Sequence, residues 1–483
     1  MWRSPIYVTQ ARTTVQEGRD LETCFIDPDH PAVKRVLNQL PVKHRAKGIP
    51  AMLAEVKTLV DMGFAEFRDK PPDRKVIPCR MVEKVKFYGN GDFDKVKIRC
   101  VVRGFLQKNG IDFGATYSPS CMLATLRILL TVAVTLGWDI LQLDVKNAYV
   151  HGVMDREMWI QMPGGVHIRD PLYEADLAAG KPPRERALLL LRGLYGTHQG
   201  GKIWFERYTT ELKSQGFTPC HYDPSLFQRW TSDGKCTYVA IYVDDSIITG
   251  SDSAGNIQIR DHILKTFGGT TGSLESFLGL HITYDKAAGR LEMRHTAYRQ
   301  NIFDRFNISS ELTSDSPYLH SNKGIVWDDE RHTPMLNNYR AIVASWIFDM
   351  NACAPYAATP LLYLCMKMQQ PTQSDVLALD AFMRFMAKHI DRPFVIQRPS
   401  HVVGRSVSTY LVSLTQATVM LTTLRSDRLS VKFITLAQRP IRGQPKRIRA
   451  PQIAPMPLRW QPRPRPCTSV PGGAIYSLRW ASF

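Results

Sequence analysis

The stretch Val239–Ile248 reads Val-Ala-Ile-Tyr-Val-Asp-Asp-Ser-Ile-Ile and places two adjacent acids between apolar, β-branched flanks. Each flank has the composition of a buried strand. A pair of carboxylates inside such a run is costly unless it lies at a turn or binds a cation. We therefore predict a β-hairpin with Asp244 and Asp245 at its tip. That tip is either a platform for a divalent metal ion or a turn whose acids face water.

Two further stretches carry charge in an informative pattern. The apolar strand Ile140–Asp144 ends on an acid about one hundred residues before the hairpin, although an acid there is more often a helix N-cap than a metal ligand. Lys97 and Arg99 alternate along another predicted strand and therefore share one face. That face either binds phosphates or is a solvated strand edge.

The composition is globular and strongly basic. The chain of 483 residues holds 62 Lys and Arg against 44 Asp and Glu, and the net charge of +18 favours a polyanionic partner such as nucleic acid. Residues 401–483 contribute 13 − 1 = +12 of this charge, from 13 basic residues and a single acid, Asp427. The nine cysteines form no Cys-x-x-Cys or zinc-knuckle spacing, which fits a reducing compartment without structural zinc. We expect neither a secretory signal nor a membrane partner.

Periodicity predicts a chain of mixed helices and strands, of the α/β fold class. Helices are expected over residues 122–136, 257–267, 298–306, 339–350 and 374–389. Strands are expected over residues 75–78, 81–87, 188–191, 277–282 and 291–293. The regions that follow are a leader of unclear structure over 1–47, a folded domain over 48–317, a degenerate connection over 318–400, and a basic, Pro-rich tail over 401–483. We expect the tail to be disordered.

Several motifs occur in an order and at a spacing that resemble the reverse transcriptases of Ty1/copia-type retrotransposons. The matching blocks are Lys97–Gln107, Gly110–Phe113, Leu143–Gly152, Leu194–Gly196 with Gln199 and Trp204, Tyr242–Asp245, and Phe277–Gly279. The resemblance runs from about residue 51 to residue 317. It implies a right-hand polymerase with fingers, an α+β palm and a thumb. The implied activity is RNA-directed DNA polymerisation, with an RNA template, a DNA or RNA primer and deoxynucleoside triphosphates.

The resemblance also implies roles for individual residues. The catalytic and metal-binding triad would be Asp144, Asp244 and Asp245, which would hold two Mg²⁺ ions, with Mn²⁺ as a possible substitute. The nucleotide contacts would be Lys97, Arg99, Tyr149, Gln199 and Gly200. Tyr149 would act as a steric gate against the ribose 2′-hydroxyl, although a core aromatic is the alternative interpretation. The primer grip would be formed by Phe277, Leu278 and Gly279.

Some features depart from the family pattern. Gly269–Gly272 stands where the family usually carries a Lys-Asp-Leu-Gly run. With Asp427 as the one acid after residue 400, a two-metal ribonuclease H site cannot be built in the tail, which is either sequence translated past a frameshift or a nucleic-acid-binding extension. The alternative function is therefore a catalytically inactive or host-adopted remnant that only binds nucleic acid. The resemblance implies a cytoplasmic particle or the nucleus as location, and leaves the oligomeric state open.

Overall fold

The structure of the chain is a computed structural model that describes residues 24–87, 93–170, 175–176, 178–180, 186–319 and 324–398. For residues 410–414, 418–425 and 428–434 it describes the backbone. The chain divides into two units at residue 435, and the second, Leu436–Phe483, lies outside the described residues. The predicted turn at 88–92 and most of the predicted disordered tail also lie outside them.

The helices confirm the periodicity-based assignment in outline. They are α1 (Pro31–Gln39), α2 (Gly48–Asp61), α3 (Leu123–Leu136), α4 (Gly200–Ser214), α5 (Ser253–Phe267), α6 (Thr296–Arg305), α7 (Asp329–Ala352), α8 (Ala358–Cys365) and α9 (Gln373–Lys388). Short 3₁₀ turns cover Val42–Lys47, Gly104–Leu106, Ala148–His151 and Pro355–Ala357. Helix α7 begins ten residues before its predicted start, because Asp328 caps its first turn and Pro334 is accommodated within it.

The strands of the described residues fall into five sheets. They are β1 (Cys24–Ile26), β2 (Ala65–Asp69), β3 (Val76–Phe87), β4 (Phe93–Val102), β5 (Ile140–Asp144), β6 (Trp159–Gln161), β7 (Val166–Ile168), β8 (Arg186–Leu190), β9 (Thr218–Pro219), β10 (Leu226–Trp230), β11 (Cys236–Tyr242), β12 (Asp245–Thr249), β13 (Thr270–Ser273), β14 (Ser276–Phe277), β15 (Leu280–Asp285), β16 (Arg290–Arg294), β17 (Phe394–Gln397), β18 (Tyr410–Leu414), β19 (Thr418–Arg425) and β20 (Arg428–Ile434). The two strands predicted over 75–78 and 81–87 form one continuous strand, β3.

A six-stranded antiparallel sheet with the order β13-β5-β12-β11-β10-β9 is the centre of the fold. Its two faces are covered by separate cores, as the alternation of side chains along a strand requires. Ile247 and Ala240 face a core that includes α3, whereas Leu143 and Ile248 face a core formed with α4 and α5. The acid-bearing ends of β5 and β12 therefore emerge from a sheet that is buried on both sides.

A second sheet, in the order β2-β8-β6-β3-β4, packs against the N-terminal helices. The region 24–47, part of the leader whose structure was unclear from its periodicity, contains β1, α1 and a 3₁₀ turn. Cys24, Val33 and Val36 are buried in the same core as the sheet residues Ile77 and Ile98. Short elements with few apolar residues each explain why periodicity did not reveal them.

The region predicted as a degenerate connection has a core of its own. Helices α6 to α9 bury large side chains together, including Trp346 and Phe382, whose rings meet edge to face at 5.7 Å. Helix α9 begins at a capping box in which Thr372 and Asp375 each satisfy the other's backbone amide. Strand β17 then pairs with β16 and completes the sheet β14-β15-β16-β17. Residues 324–398 thus form packed structure.

Within the tail, the described backbone differs from the predicted disorder. Strands β18, β19 and β20 form an antiparallel sheet of three strands. Each is rich in β-branched and aliphatic residues, a composition that favours strands even in a basic segment. A search of the described helices finds none with the length and apolar character that a membrane crossing requires.

Candidate active site

The hairpin predicted from Val239–Ile248 is present, and a two-residue turn forms its tip. Strands β11 and β12 pair with Tyr242 opposite Asp245, so Val243 and Asp244 make the turn. Val243 has a φ of 58°, a left-handed conformation that is a genuine outlier for a β-branched residue. Such strain costs of order 1–3 kcal/mol and persists only where the surrounding structure imposes it.

Two hydrogen bonds from other elements hold this turn. Nε1 of Trp204 on α4 donates to the carbonyl of Val243 at 2.7 Å. The amide of Val145, directly after β5, donates to the carbonyl of Asp244 at 2.9 Å. Trp204 is 1% exposed and meets the ring of Phe267 edge to face at 5.3 Å, so the donor itself is fixed. The backbone from which the Asp244 carboxyl projects is therefore held on both sides.

The third acid lies opposite the hairpin. Strand β12 pairs with β5 in a register that places Asp245 directly across from Asp144. Residues opposed in an antiparallel pair point to the same face, with Cα atoms about 4.5–5.5 Å apart. On its other side Asp144 is opposite Thr270 of β13. Like charges directly across a ladder destabilise a sheet, so packing does not explain why two acids occupy this pair.

The acids perturb one another. Burial, the charge of Asp244 and the charge of Asp144 together raise the pKa of Asp245 to about 7. Burial and the charge of Asp244 also raise the pKa of Asp144, an effect that the Lys97 ammonium partly opposes. Burial and like charges disfavour the ionised form of these carboxyl groups. A bound cation would favour the ionised form and so would lower their pKa values again.

This perturbation predicts that Asp245→Asn stabilises the protein when no divalent metal is present. Because its pKa is raised in the folded state from 3.8 to about 7, the stability contributed by the protonated group is lost as the pH rises through that interval. With allowance for its contact with water, we expect a gain of about 1–2 kcal/mol in the free energy of unfolding at pH 8. Urea unfolding in EDTA at pH 5 and pH 8 measures it.

The gain should shrink at pH 5, where folded Asp245 is already largely protonated. Asp233→Asn is a matched control, because this acid lies in the preceding turn and its pKa is lowered to about 2 by hydrogen bonds from Lys235 and Thr231. It should give no gain at either pH. An Asp245→Asn gain of equal size at both pH values would show that the acid cluster does not cause it.

The three carboxylates suit a divalent metal ion that also binds substrate and water, rather than one enclosed by protein ligands. Among the residues that the structure describes, no three His, Cys, Asp or Glu side chains stand close enough to form a cage around one ion. Mg²⁺ is commonly held by one or two carboxylates, with substrate phosphates and water completing its octahedral shell. The opposed pair Asp144 and Asp245, with Asp244 beside it, supplies hard oxygen donors of that kind and leaves positions open.

Two basic side chains from the second sheet face the acids. Lys97 and Arg99 are half-buried on β4, whereas the intervening residues Val96 and Ile98 are buried in the core, so the predicted common face is confirmed. Burial and the neighbouring Arg99 lower the pKa of Lys97, while Asp144 and Asp244 act in the opposite direction. The guanidinium of Arg99 lies 4.8 Å above the ring of Tyr195.

Tyr149 lies between these groups on the 3₁₀ turn Ala148–His151. Its ring meets that of Tyr195 edge to face at 5.0 Å. Burial and the charge of Asp244 raise the pKa of its hydroxyl. A side-chain carbon added at Gly200 would stand 2.7 Å from the Thr197 hydroxyl, whereas its 3.5 Å distance to the Tyr149 ring would be an ordinary contact. The ring is half-buried beside the acids, a position that suits either the gate or the core interpretation.

Gln199, which the resemblance predicts to contact the nucleotide, is a buried residue in this structure. Its side chain is 0% exposed. Its carbonyl oxygen accepts from Nε2 of Gln107 at 3.0 Å, and its own Nε2 donates to the carbonyl of Asp112 at 2.9 Å. In this structure the side chain therefore positions the 107–112 loop rather than reaching solvent. Gly200, the first residue of α4, is also buried.

The segment Phe277-Leu278-Gly279, predicted as part of one strand, forms a tight hairpin between β14 and β15. Leu278 and Gly279 have φ values of 55° and 78°, as a type I′ turn requires at both central positions. Phe277 is buried, with its ring 6.4 Å from that of Tyr242 in the acid hairpin. The turn chemistry splits the strand, and the result brings this hairpin next to β11.

The segment that departs from the family pattern lies directly beside Asp144. Residues Thr270–Ser273 form β13, the edge strand next to β5. A side-chain carbon at Gly269 would stand 2.3 Å from the carbonyl of Asp144, so only glycine fits this close approach. No apolar period marks β13, and its strand structure depends on pairing with β5. The sequence alone therefore did not reveal it.

Comparison with known proteins defines the class. The family described as "Reverse transcriptase (RNA-dependent DNA polymerase)" matches residues 65–320, just over half of the chain. The protein is thus of the polymerase class, and the chain belongs to the reverse transcriptase family.

Similar proteins narrow the assignment of the chain within the reverse transcriptase family. The chain is 27% identical to the Pol polyprotein of transposon TNT 1-94 from Nicotiana tabacum and 28% identical to that of transposon RE2 from Arabidopsis thaliana. These matches cover 60% and 68% of the chain, which spans about a fifth (21%) of each relative. A putative Ty5-1 transposon protein of Saccharomyces cerevisiae is 24% identical over 50% of the chain and 75% of its own length. The domain is therefore a reverse transcriptase domain of copia-type retrotransposon Pol polyproteins, as the sequence motifs predicted.

Among solved structures, a telomerase from Candida albicans in complex with a fragment of telomeric RNA aligns with 71% of the chain and 65% of its own. The identity is 9% and the TM-score is 0.29, so this likeness carries no argument about the fold.

Proposed function

We propose that this domain extends a primer 3′-hydroxyl with deoxynucleotides, using RNA as the template. The observation that carries the proposal is the register that sets Asp144 opposite Asp245, beside Asp244, at the edge of a buried sheet. Lys97 and Arg99 on a second sheet act against the rise in the pKa of Asp144, and Asp144 and Asp244 in turn act to raise the pKa of Lys97. Acids for metal ions and cations for a triphosphate are the two parts that nucleotidyl transfer requires.

The architecture supports an assignment of the polymerase subdomains. We assign the five-stranded sheet with β3 and β4 to the fingers, because it carries the phosphate-binding candidates Lys97 and Arg99. The six-stranded sheet with the three acids is the palm. The hairpin between β14 and β15 is the primer grip, and the helices from α6 onwards supply the thumb and the connection. The packing of Phe277 near Tyr242 supports a grip adjacent to the palm acids.

In this proposal each side chain has one task. Asp144, Asp244 and Asp245 would hold two Mg²⁺ ions, or Mn²⁺ in their place. When bound, these ions lower the pKa of the primer hydroxyl and stabilise the leaving phosphate oxygen. Lys97 and Arg99 bind the triphosphate by charge-assisted hydrogen bonds.

Four further residues arrange the site. Tyr149 occupies the space of a ribose 2′-hydroxyl. Trp204 fixes the strained turn that carries Asp244. Gln199 positions the 107–112 loop, and Gly200 begins helix α4 at the turn that we expect to contact the incoming nucleotide.

The direct test is primer extension. The purified chain would be given an RNA template, an annealed DNA primer, all four deoxynucleoside triphosphates and Mg²⁺. We expect elongation that requires the metal ion. Retained template binding without any elongation would contradict the proposal and favour the remnant that only binds nucleic acid. In that case the loss of the family's lysine at Gly269–Gly272, next to Asp144, is the first feature to restore.

Tyr149→Ala should reduce the preference for deoxynucleotides over ribonucleotides by about 10–100-fold, the range over which one steric group discriminates. The physical reason is that removal of the ring opens space where the 2′-hydroxyl would stand. Incorporation of each sugar type on the same primer and template measures the ratio. Tyr149→Phe is the matched control, because it keeps the ring and should keep the selectivity. Unchanged selectivity in Tyr149→Ala would favour the core-aromatic interpretation.

A further inference from the structure

A cavity of about 220 Å³ lies behind the 3₁₀ turn that carries Tyr149. We name it the two-arginine pocket. Its wall includes Met62, His151, Arg192, Arg207, Thr266 and Phe267. Five separate segments thus converge on it: the end of α2, the 3₁₀ turn, the residues after β8, helix α4 and the last turn of α5.

The pocket lies on the opposite face of the central sheet from Asp144 and Asp245. Phe267 belongs to the core that also contains Leu143 and Val145. Asp144 stands between those two residues in the chain, so its side chain points to the other face, which Asp245 shares as its partner across the ladder. A ligand in the pocket would therefore not meet the acids, and the pocket is a separate site.

Arg192 brings an uncompensated charge to the pocket. Its amide donates to the carbonyl of Phe64 at 3.0 Å, which fixes the backbone beside the cavity. Its guanidinium makes no hydrogen bond or ion pair with any residue that the structure describes. A half-buried guanidinium offers five N–H donors in a planar fork that matches a phosphate or carboxylate. The guanidinium of Arg192 therefore has no hydrogen-bond acceptor within the described part of the chain.

Arg207 contributes a second set of donors. It forms an ion pair with Glu211 at 2.8 Å, and its guanidinium lies 4.9 Å above the ring of Phe267. These contacts orient the group but occupy only part of its donor capacity. Thr266 donates its hydroxyl proton to the carbonyl of His262 at 2.8 Å, so its oxygen is free to accept. Two arginines against one acid leave a positive pocket with apolar Met62 and Phe267 beside it.

Size and chemistry restrict the ligand. The cavity is much larger than the ~30 Å³ that one water occupies in the liquid, yet it is smaller than the ~300–1,000 Å³ of pockets for drug-sized ligands. Paired guanidinium groups recognise phosphate oxygens by bidentate hydrogen bonds. We propose that the two-arginine pocket binds a small phosphate-bearing anion, with Arg192 and Arg207 as its ligands. The sources that share this chemistry are free phosphate, pyrophosphate and a nucleoside monophosphate.

The location gives such binding a structural consequence. Val150 and His151 line the pocket, and Tyr149 on the same short turn faces the acids. A bound anion would therefore contact the 3₁₀ turn on the side opposite to the acids and would support the turn that carries Tyr149, the candidate steric gate. The binding itself does not depend on polymerase activity, so it can be tested without catalysis.

The test uses the full chain in EDTA, so that no divalent metal can recruit phosphates to the three acids. Inorganic phosphate, pyrophosphate and deoxyadenosine monophosphate are titrated separately by calorimetry. We expect at least one of them to bind, and Arg192→Gln to weaken that binding about tenfold, as loss of a charge-assisted bidentate contact implies. Arg340→Gln is the matched control, because Arg340 is an exposed arginine on α7 far from the pocket residues in sequence. It should bind as the wild type does.

Three results would overturn the proposal. The first is no binding of any of the three anions at ~10 mM, a concentration that detects interactions weaker than those of a typical ligand site. The second is a loss of binding in Arg192→Gln that is no larger than the loss in Arg340→Gln, which would place the bound anion elsewhere or indicate nonspecific charge attraction. Binding of a single-stranded oligonucleotide alone, weakened by Arg192→Gln, would instead make the pocket a nucleic-acid contact and also contradict the proposal. If Arg192→Gln does not fold, Arg192→Lys keeps the charge, loses the fork and should weaken binding by a smaller factor.

Discussion

Asp244→Asn is expected to abolish primer extension, with a fall of at least about 10³-fold in rate. The carboxyl group projects from a turn that the fold holds in a strained conformation, and asparagine keeps its shape but not its charge. A metal-assisted transfer depends on several kcal/mol of charge stabilisation, and each 1.36 kcal/mol is a factor of ten in rate. Loss of one metal-binding carboxylate therefore removes about three factors of ten.

Template binding should stay nearly unchanged in the same variant. The acid repels the phosphate backbone, so its neutralisation cannot weaken nucleic-acid affinity through charge. Extension on a primed RNA template and binding of that template, both at fixed salt, separate the two effects. Asp233→Asn, an exposed acid of the preceding turn, should extend primers at the wild-type rate. Substantial extension by Asp244→Asn would remove this residue from the metal assignment.

Arg299→Met should destabilise the protein by about 3–5 kcal/mol, the range found when one partner of a buried ion pair is removed. Both Arg299 and Asp349 are 0% exposed, and Nε of Arg299 donates to the Asp349 carboxylate at 2.9 Å. The guanidinium also donates to the carbonyls of His389, Ile390 and Arg392 at 2.9–3.0 Å. The substitution leaves a buried carboxylate with His295 as its remaining side-chain partner, and it leaves three carbonyls without this donor.

Urea unfolding of the variant chains measures this loss. Arg299→Met combined with Asp349→Leu should recover more than half of it, because a buried ion pair replaced on both sides by apolar groups is often nearly neutral. Arg340→Met, at an exposed position of α7, is the control and should stay within about 0.5 kcal/mol of the wild type. A single-variant loss below about 1 kcal/mol would mean that water enters the site and that the pair is not truly buried.

The sequence predicted local features well because their causes are local. The acid hairpin follows from strand composition interrupted by two acids. The common face of Lys97 and Arg99 follows from the period of a strand. Both of these predictions are confirmed by the structure. The burial of Trp204, Tyr208 and Leu212 in one core has a cause of the same kind, because their spacing of four residues places them on one face of helix α4.

Features that depend on residues far away in the chain were harder to predict from the sequence. Gln199 looks like a surface residue of a glycine-rich turn, and its burial depends on Gln107, which is 92 residues away. The opposition of Asp144 and Asp245 depends on a register between strands that the pattern of neither strand specifies. It could be expected only from the resemblance to a known family. The helices after residue 324 looked degenerate by motif, yet their apolar residues sufficed to build a core.

The pairing of β16 with β17 has a consequence for the order in which the chain folds. Arg290–Arg294 finds its partner Phe394–Gln397 about one hundred residues later, after four helices have been made. Such a contact closes a long loop, which slows folding and delays completion of the sheet. During synthesis from the N-terminus, β16 remains an open edge until residue 397 has left the ribosome. The stretch that matches the family ends at residue 320, but the sheet that contains β16 is completed only by β17. A chain released between these two points would therefore expose an unpaired edge that favours aggregation.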